Sequence, residues 1–198
     1  MRWCKRSDTC KTKICKKGKL RKMIEKTKQE KTKQEKTLFM TRLMTPDMSN
    51  FSGKVHGGTI LKLLDEAAFT CASRYCKTYV VTKSLDQVVF KNPIAVGDLV
   101  TFKCNVNYVG KTSMEIGVRV EGERIRDKME YHAISSYFTM VSVDEDGKPM
   151  EVPRIDFVSD VEKKLFEAGK MRCAMRKEIQ ERNNKLHVSL DNWIKIWG

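Results

Sequence analysis

The chain has 198 residues and a formal net charge of +14, which is enough for one domain with a hydrophobic core and too short for two domains of ordinary size. The charge is uneven, because residues 1–40 contain 15 Lys and Arg residues against 4 Asp and Glu residues. The rest of the chain has the charge balance of an ordinary soluble domain, which weakens the case for a nucleic-acid-binding or membrane-binding domain and assigns the basicity to the N-terminal segment.

The cysteines number seven, which is an odd count. Cys4, Cys10 and Cys15 do not have the spacing of a common zinc site. The cysteines at positions 71, 76 and 104 fall in apolar segments, where a thiol acts as a small apolar side chain. No apolar run reaches membrane-spanning length, and no apolar stretch of a secretory signal follows the basic N-terminus. We therefore expect reduced thiols, no metal site and a cytoplasmic location.

Residues 1–37 contain few large apolar side chains and include a tandem repeat, in which the sequence EKTKQ at 25–29 recurs at 30–34. Such a segment has little to bury. We predict a solvated, disordered tail rather than a specific binding arm. Met23, Met40 and Met44 are alternative initiators, and the sequence leaves open whether this segment precedes the true start.

From residue 38 onward, periodic apolar residues predict regular structure. A strand is predicted at 38–45, a loop at 46–53, a long helix at 58–75, four further strands at 79–91, 99–109, 112–122 and 128–143, and a charged helix at 159–184. The strand at 112–122 alternates cleanly, so one of its faces should be buried and the other, with Glu115, Gly117, Arg119 and Glu121, should face water. This order of elements predicts an α+β domain in which an antiparallel sheet curls around the long helix.

The domain is predicted to occupy residues 38–158, and residues 159–198 to form a helical extension. Leu165, Phe166, Met171 and Met175 are apolar side chains of this extension. We favour their packing on the sheet or on a neighbouring subunit over a role as a lid on a substrate.

The long helix contains a carboxylate in an apolar row that follows paired glycines. Asp65 lies on one side of this helix with Leu61, Ala68 and Ala72. Glu66, in the neighbouring polar row, can pair with a lysine one turn back, whereas Asp65 needs a partner in a poorly hydrated setting. Such a setting is typical of a catalytic acid or base. A structural aspartate, capped by the backbone or by a threonine, is an equal alternative from the residues alone.

Six blocks of sequence stand out between residues 39 and 175. They are the loop NFSGKVHGG at 50–58, the helix segment DEA at 65–67, the strand VVT at 80–82 with Ser84 and Asp86, the turn AVGD at 95–98, the segment GKTSME at 110–115, and FTMVSVD at 138–144 with GKP at 147–149. In this order they resemble the hotdog-fold acyl-CoA thioesterases, specifically the branch of the bacterial YciA-like enzymes and the mammalian cytosolic acyl-CoA hydrolase. The basic tail lies outside the resemblance.

The resemblance implies a hotdog fold and hydrolysis of fatty acyl-CoA to free fatty acid and CoA, without a metal or redox cofactor. It implies a homodimer, or a trimer of such dimers, with active sites between the helices of two subunits. Asp65 would be the catalytic carboxylate, and the sequence leaves open whether it is a general base or a nucleophile. The backbone N–H groups of Gly57 and Gly58 would form the oxyanion hole. The Asn50 amide would hold the carbonyl or the water.

Further candidates for substrate binding are His56, Thr82, Ser84, Gly110, Lys111, Thr112 and Ser113. The segment 110–113 resembles the loop that meets the CoA nucleotide, since backbone N–H groups and a lysine suit phosphate; a plain hairpin turn is an equal alternative. Thr82 and Ser84 either line the site or are ordinary strand residues. For His56, a role in shaping the loop is favoured over a role as catalytic base.

The hotdog scaffold also serves dehydratases and acyl-CoA-sensing regulators, so the fold alone does not fix the function. A dehydratase would need a histidine on the buried helix, and His56, His132 and His187 are not placed there. The alternative that remains is a non-catalytic acyl-CoA-binding regulator whose basic tail binds nucleic acid. An anionic membrane surface is another candidate target of the same tail.

Overall fold

Residues 34–186 are described by the computed structural model. The strands are β1 (Thr37–Leu43), β2 (Tyr79–Leu85), β3 (Val89–Phe90), β4 (Leu99–Val109), β5 (Ser113–Arg124) and β6 (Met129–Val143), and the helices are α1 (Gly57–Cys76) and α2 (Asp160–Lys185). A short 3₁₀ turn, Pro46–Met48, precedes α1. The predictions made for residues 1–33, among them the tail and its three cysteines, and those for residues 187–198 lie outside the described residues.

The strands form one antiparallel sheet in the order β1-β4-β5-β6-β2, with β3 also paired to β6. Alternate residues of β5, such as Ile116 and Val118, are buried on one face of this sheet, as the alternation predicted. Helix α1 covers that face with its own buried side chains, including Leu64 and Ala68. The predicted arrangement of an antiparallel sheet around a long helix is therefore confirmed.

The buried side of α1 is broad, but it does not extend around the whole helix. Ala68 and Ala72 are completely buried, whereas Leu61 and Asp65 are half-buried. The polar row faces outward as predicted, and its Glu66 carboxylate lies 3.8 Å from the Lys62 ammonium group. Asp65 thus lies at the edge of the buried face rather than within it.

The predicted strand at 79–91 is interrupted in the structure. It forms β2 and β3, because the chain leaves the ladder after Leu85 and pairs with β6 again at Val89. Within β2, the pairing with β6 also shifts by one residue between Thr82 and Ser84. Asp86 then donates its backbone N–H to the carbonyl of Tyr137. A bulge adds one residue to a strand without interrupting its hydropathy, so the apolar pattern gave no sign of the break.

The outer face of the sheet is covered at one end by α2. Phe166 packs against Tyr108 of β4, with 5.0 Å between the ring centroids, so one of the four apolar side chains named in the prediction packs on the sheet. Leu165 is 37% exposed. Met171 and Met175 point away from the sheet and are exposed. The prediction that Glu115 faces water is wrong, because α2 lies over it and leaves it 1% exposed.

The first described residues already contact the domain. Glu35 pairs with Arg74 at 2.6 Å, and the Lys36 ammonium group lies 2.8 Å from the Glu162 carboxylate. The domain therefore begins slightly before residue 38.

Candidate active site

The loop before α1 is built around the side chain of Asn50. Its Oδ1 accepts hydrogen bonds from the backbone N–H and the hydroxyl of Ser52, at 2.9 and 2.7 Å, and from the backbone N–H of Lys54 at 3.1 Å. These three donors fix which end of the amide is the oxygen. Within the described part of the chain, the Asn50 Nδ2 group has no acceptor. The loop therefore holds an N–H donor that it does not itself use.

The start of α1 divides the two glycines that were predicted to form an oxyanion hole. His56 caps the helix, and its Nδ1 accepts the Gly58 N–H at 3.0 Å. The Thr59 and Ile60 N–H groups both donate to the His56 carbonyl. The Gly57 N–H makes no hydrogen bond to any residue in the range 34–186, so Gly57 is the glycine whose donor is free for a ligand.

The cap also gives His56 a structural role. A neutral imidazole that accepts at Nδ1 carries its proton on Nε2, and the side chain is exposed. This geometry agrees with the favoured prediction that His56 shapes the loop.

Asp65 has a specific partner on the sheet. The Thr82 hydroxyl of β2 donates to Asp65 Oδ1 at 2.6 Å and lies 3.6 Å from the sulfur of Met140. The carboxylate is half-buried in this single chain, so the predicted poorly hydrated setting is only partly present. The hydroxyl holds one carboxylate oxygen in place and leaves the other oxygen for a water or a substrate.

Ser84 does not lie beside Thr82. In the register it is opposite Thr139 of β6, whose neighbour Met140 points into the buried face against α1. Because successive residues of a strand point to opposite faces and paired residues share a face, Thr139 and Ser84 point toward the α2 side. The bulge therefore separates Ser84 from Asp65.

The segment 110–113 is the turn between β4 and β5. Gly110 donates its N–H to the Ser113 carbonyl at 2.8 Å, and the Thr112 carbonyl accepts from Ser142. The Lys111 side chain is exposed, and its ammonium group lies 3.8 Å from Glu151. The hairpin borders a groove of about 600 Å³ that is also lined by Arg154 and Phe166. The geometry is that of a hairpin turn with one available lysine at the edge of a groove.

The register places this hairpin level with the carboxylate. Thr82 pairs with Met140, Met140 pairs with Met114, and Met114 pairs with Val109, the residue before the hairpin. With strands about 4.8 Å apart, the hairpin lies about 14 Å from Thr82 across the sheet. The buried side chains of Met140 and Met114 lie between the two places.

The sequence analysis missed a set of side chains on the outer face, in which Arg172 and Arg176 of α2 bind Glu115. The arginines are four residues apart on a helix that reads as exposed, and Glu115 reads as a water-facing strand residue. A signal that could have found them is Gly169, which lies between Phe166 and Arg172 in α2. Gly169 is buried, and a glycine inside a helix often has a packing reason.

Within residues 34–186, no helix has the length and apolarity needed to cross a membrane. The same residues contain no group of three or more His, Cys, Asp or Glu side chains arranged to hold a metal ion.

Residues 52–128 match the model of the thioesterase superfamily. The chain is 45% identical over 139 residues to the protein VdlD of Helicobacter pylori, an alignment that covers 70% of this chain and 79% of that protein. It is 39% identical over 140 residues to the cytosolic acyl coenzyme A thioester hydrolase of Mus musculus, covering 70% of this chain and 37% of that protein.

Solved structures of acyl-CoA hydrolases also superimpose on this chain. An acyl-CoA hydrolase from Staphylococcus aureus, solved with butyryl coenzyme A, coenzyme A and coenzyme A disulfide, superimposes with a TM-score of 0.70 at 31% identity, covering 77% of this chain and 93% of that chain. A hexameric acyl-CoA thioesterase superimposes with a TM-score of 0.71 at 36% identity, covering 74% of this chain and 94% of that chain.

The Staphylococcus aureus enzyme was also solved as three alanine variants, of one asparagine, one aspartate and one threonine. In that enzyme the asparagine precedes the aspartate by 15 residues, and the threonine follows the aspartate by 17. From the match to the family model, the identities and the shared fold together, this chain belongs to the thioesterase superfamily, in its branch of hotdog-fold acyl-CoA hydrolases.

Proposed function

We propose that this protein hydrolyses fatty acyl-CoA to a free fatty acid and CoA, with Asp65 as its catalytic carboxylate. The observation that carries the proposal is the 2.6 Å hydrogen bond from Thr82 to Asp65 at the edge of α1, on a helix whose start has a free N–H donor. The relatives and structural neighbours named as acyl-CoA hydrolases support the reaction.

The spacing of three residues supports the assignment of the site. Asn50, Asp65 and Thr82 have the same types and the same separations as the three residues replaced by alanine in the Staphylococcus aureus enzyme. Two of them are in direct contact here, and the third has an amide whose donor end is free. We therefore assign Asn50 to the substrate carbonyl or the water, and Thr82 to holding Asp65.

The site needs two subunits. Gly57 and Asp65 are eight residues apart on one helix, which corresponds to about 12 Å. A single thioester carbonyl cannot be within about 3 Å of the Gly57 N–H and also within reach of Asp65 of the same chain. The donor and the carboxylate that act on one substrate therefore come from two copies of the chain. The hexameric thioesterase among the structural neighbours supports self-association as a dimer or as a trimer of dimers.

The proposed chemistry is an acyl transfer to water. The water oxygen attacks the thioester carbon, the carbonyl oxygen gains negative charge beside the N–H groups of Gly57 and Asn50, and the C–S bond breaks. As a general base, Asp65 accepts the water proton, which the CoA thiolate then takes. As a nucleophile, Asp65 first forms an anhydride that water opens. Both routes use no metal or redox cofactor.

The CoA nucleotide is assigned to the hairpin at 110–113. Lys111 is exposed there beside the groove, and an ammonium group suits phosphate. Within one chain, the hairpin lies about 14 Å from Thr82 across the sheet. By similarity to the cytosolic mouse enzyme, we place the reaction in the cytoplasm.

The experiment measures CoA release from a panel of acyl-CoA chain lengths by chromatography, for the wild type, Asp65→Asn and the control Glu66→Gln. Glu66 is the neighbouring carboxylate on the outward row of α1. We expect kcat to fall about 10³-fold in Asp65→Asn and to stay unchanged in Glu66→Gln. Tight acyl-CoA binding by the wild type without any turnover would instead indicate a non-catalytic acyl-CoA-binding protein.

The two roles of Asp65 can be separated by a single turnover in H₂¹⁸O with enzyme in excess. A general base puts the first ¹⁸O atom into the fatty acid. If Asp65 is a nucleophile and water opens the anhydride at the Asp65 carbonyl carbon, the fatty acid takes an unlabelled oxygen from Asp65 and ¹⁸O stays on Asp65, where mass spectrometry of the peptide detects it. Water attack at the fatty acyl carbon labels the fatty acid as a general base does, so ¹⁸O on Asp65 is the result that identifies the nucleophile.

A further inference from the structure

The outer face of the sheet contains a buried ionic cluster, which we call the arginine clamp: Arg172, Arg176, Glu115 and Asp86. The Glu115 side chain has 0% exposure and accepts from Arg172 Nη2 at 2.6 Å and from Arg176 Nη1 at 3.0 Å. Arg176 Nη1 also donates to Asp86 Oδ2 at 2.8 Å. One guanidinium group thus joins β5 to the residue that follows β2.

The clamp lies one register step from the row that contains the Asp65 partner. Glu115 pairs with Thr139, and Thr139 pairs with Ser84, so this row crosses β5, β6 and β2 beneath α2. The next row consists of Met114, Met140 and Thr82. The bulge in β2 lies between these two rows.

The bulge follows Thr82 and changes the face of the residue after it. Thr82 faces Asp65 on the inner side in regular register with β6, whereas the extra residue turns Ser84 to the outer side, and bulges beside active sites commonly redirect side chains in this way. In the single chain, β2 pairs only with β6 among the described strands. The ladder to β6 ends at Leu85, and beyond it Asp86 is held by its N–H bond to the Tyr137 carbonyl and by its carboxylate bond to Arg176.

We infer that Arg176 is a positioning residue for the hydrolase reaction: it fixes the end of β2 through Asp86 and thereby holds the Thr82 hydroxyl against Asp65. Arg172 supports it by sharing Glu115 and by stacking over the Tyr137 ring, with its Cζ 3.8 Å from the ring centroid. Helix α2 thereby becomes part of the scaffold of the active site. This inference rests on the proposed function.

A purely structural clamp would attach α2 to the sheet and affect only stability. The two roles differ in what they do to the reaction at temperatures where the protein is fully folded. Misplacement of a catalytic group by about 1 Å can cost about 100-fold in rate, whereas loss of attachment alone leaves kcat unchanged until the protein unfolds.

The test compares the full-length wild type with Arg176→Met, Arg176→Lys, Asp86→Asn and the control Arg182→Met. Arg182 lies on the same helix and pairs with Glu178 at 2.6 Å on the exposed surface. Well below the melting temperature, we expect kcat to fall about tenfold in Arg176→Met with KM changed less than twofold. Arg176→Lys and Asp86→Asn should lie between Arg176→Met and wild type, and Arg182→Met should equal wild type. Unchanged kcat in both Arg176 variants would overturn the inference.

The double variant Arg176→Met with Thr82→Val gives the readout that a structural role would not move. If Arg176 acts through Thr82, the kcat of the double variant should be no lower than the kcat of the less active of the two single variants. A kcat of the double variant that is reduced by the product of the two single-variant factors would refute the coupling.

A separate measurement does not depend on turnover. Hydrogen exchange in the peptide that contains residues 79–86 should become faster in Arg176→Met and stay unchanged in Arg182→Met. If wild type hydrolyses no acyl-CoA, the proposed function fails, while the exchange data still show whether the clamp holds β2. If Arg176→Met does not fold, Arg176→Lys and Asp86→Asn carry the comparison.

Discussion

The two faces of the sheet are held by different forces. The inner face meets α1 through apolar side chains and carries Asp65 and Thr82 at its edge. The outer face meets α2 through a buried glutamate, two arginines and one packed phenylalanine. Apolar burial is non-directional, so it can form a core but cannot fix one hydroxyl against one carboxylate. Directional ion pairs can, and this protein uses them on the face opposite its site.

Removing an apolar side chain from the inner face should have the largest effect on stability. Phe138 of β6 is 1% exposed, and Phe138→Ala should reduce the free energy of unfolding by about 4 kcal/mol. Urea denaturation checks this result. Phe51→Ala, at a fully exposed position, should change it by less than about 0.5 kcal/mol. Equal effects of the two changes would mean that the inner face is not the core.

Removing the buried carboxylate should have the next largest effect. Glu115→Ala leaves Arg172 and Arg176 without their shared acceptor, and loss of one partner of a buried pair costs about 3 kcal/mol. The unfolding free energy should fall accordingly, and limited proteolysis should cut the α2 segment sooner. Glu130→Ala, an exposed change on β6, serves as the control. A loss below about 1 kcal/mol would show that the clamp contributes little to stability.

A methyl group added between α2 and the sheet should have a smaller effect. A Cβ at Gly169 would lie 2.7 Å from the Tyr108 Cβ and 3.0 Å from Glu115 Oε1. Overpacking of this kind costs about 1–3 kcal/mol, less about 1 kcal/mol for the better helix propensity of alanine. Gly169→Ala should therefore destabilise by about 1 kcal/mol in thermal or urea unfolding. Lys170→Ala, at the next position, should not destabilise the protein. A Gly169→Ala variant more stable than the wild type would show that α2 lies farther from the sheet than the structure places it.

The smallest effect concerns two thiols of the inner face. Burial raises the pKa of Cys71 and of Cys104 to about 12. At pH 8 only about 10⁻⁴ of each is then thiolate, the reactive form. Among the four cysteines in residues 34–186, iodoacetamide with peptide mapping should modify the half-buried Cys173 first, and the reaction of Cys71 and Cys104 should rise with pH. Equal rates for Cys104 and Cys173 at pH 8 would contradict a closed inner face.

The inner face was largely predictable because its signals are local. The alternation in β5, the buried rows of α1 and the pair formed by Lys62 and Glu66 follow from periods of two and 3.6 residues. The choice of Asp65 as the central carboxylate followed from its place in an apolar row, and the family resemblance gave its role. The contact with Thr82, 17 residues away, could not be read from spacing alone.

The outer face was not predictable, because its contacts join residues that are far apart in the sequence. Glu115 and Arg176 are 61 residues apart, and each reads as a solvated charge in its own segment. The bulge within β2 leaves no gap in hydropathy, so the sequence did not show that Ser84 lies on the opposite face from Thr82. At Gly57 and Gly58 the sequence showed two equivalent donors, and only the ring of His56 distinguishes them.

The turn at Asn50 uses the two ends of one amide in opposite ways. Oδ1 satisfies three donors of the loop, while Nδ2 has no acceptor within residues 34–186 and is the end that we propose for the substrate. Deamidation to aspartate would keep an acceptor for each loop donor and replace the outward N–H group by a second oxygen. A chemically aged preparation deamidated at this position would therefore keep its fold and its melting temperature while losing turnover, and intact folding would be no measure of its quality.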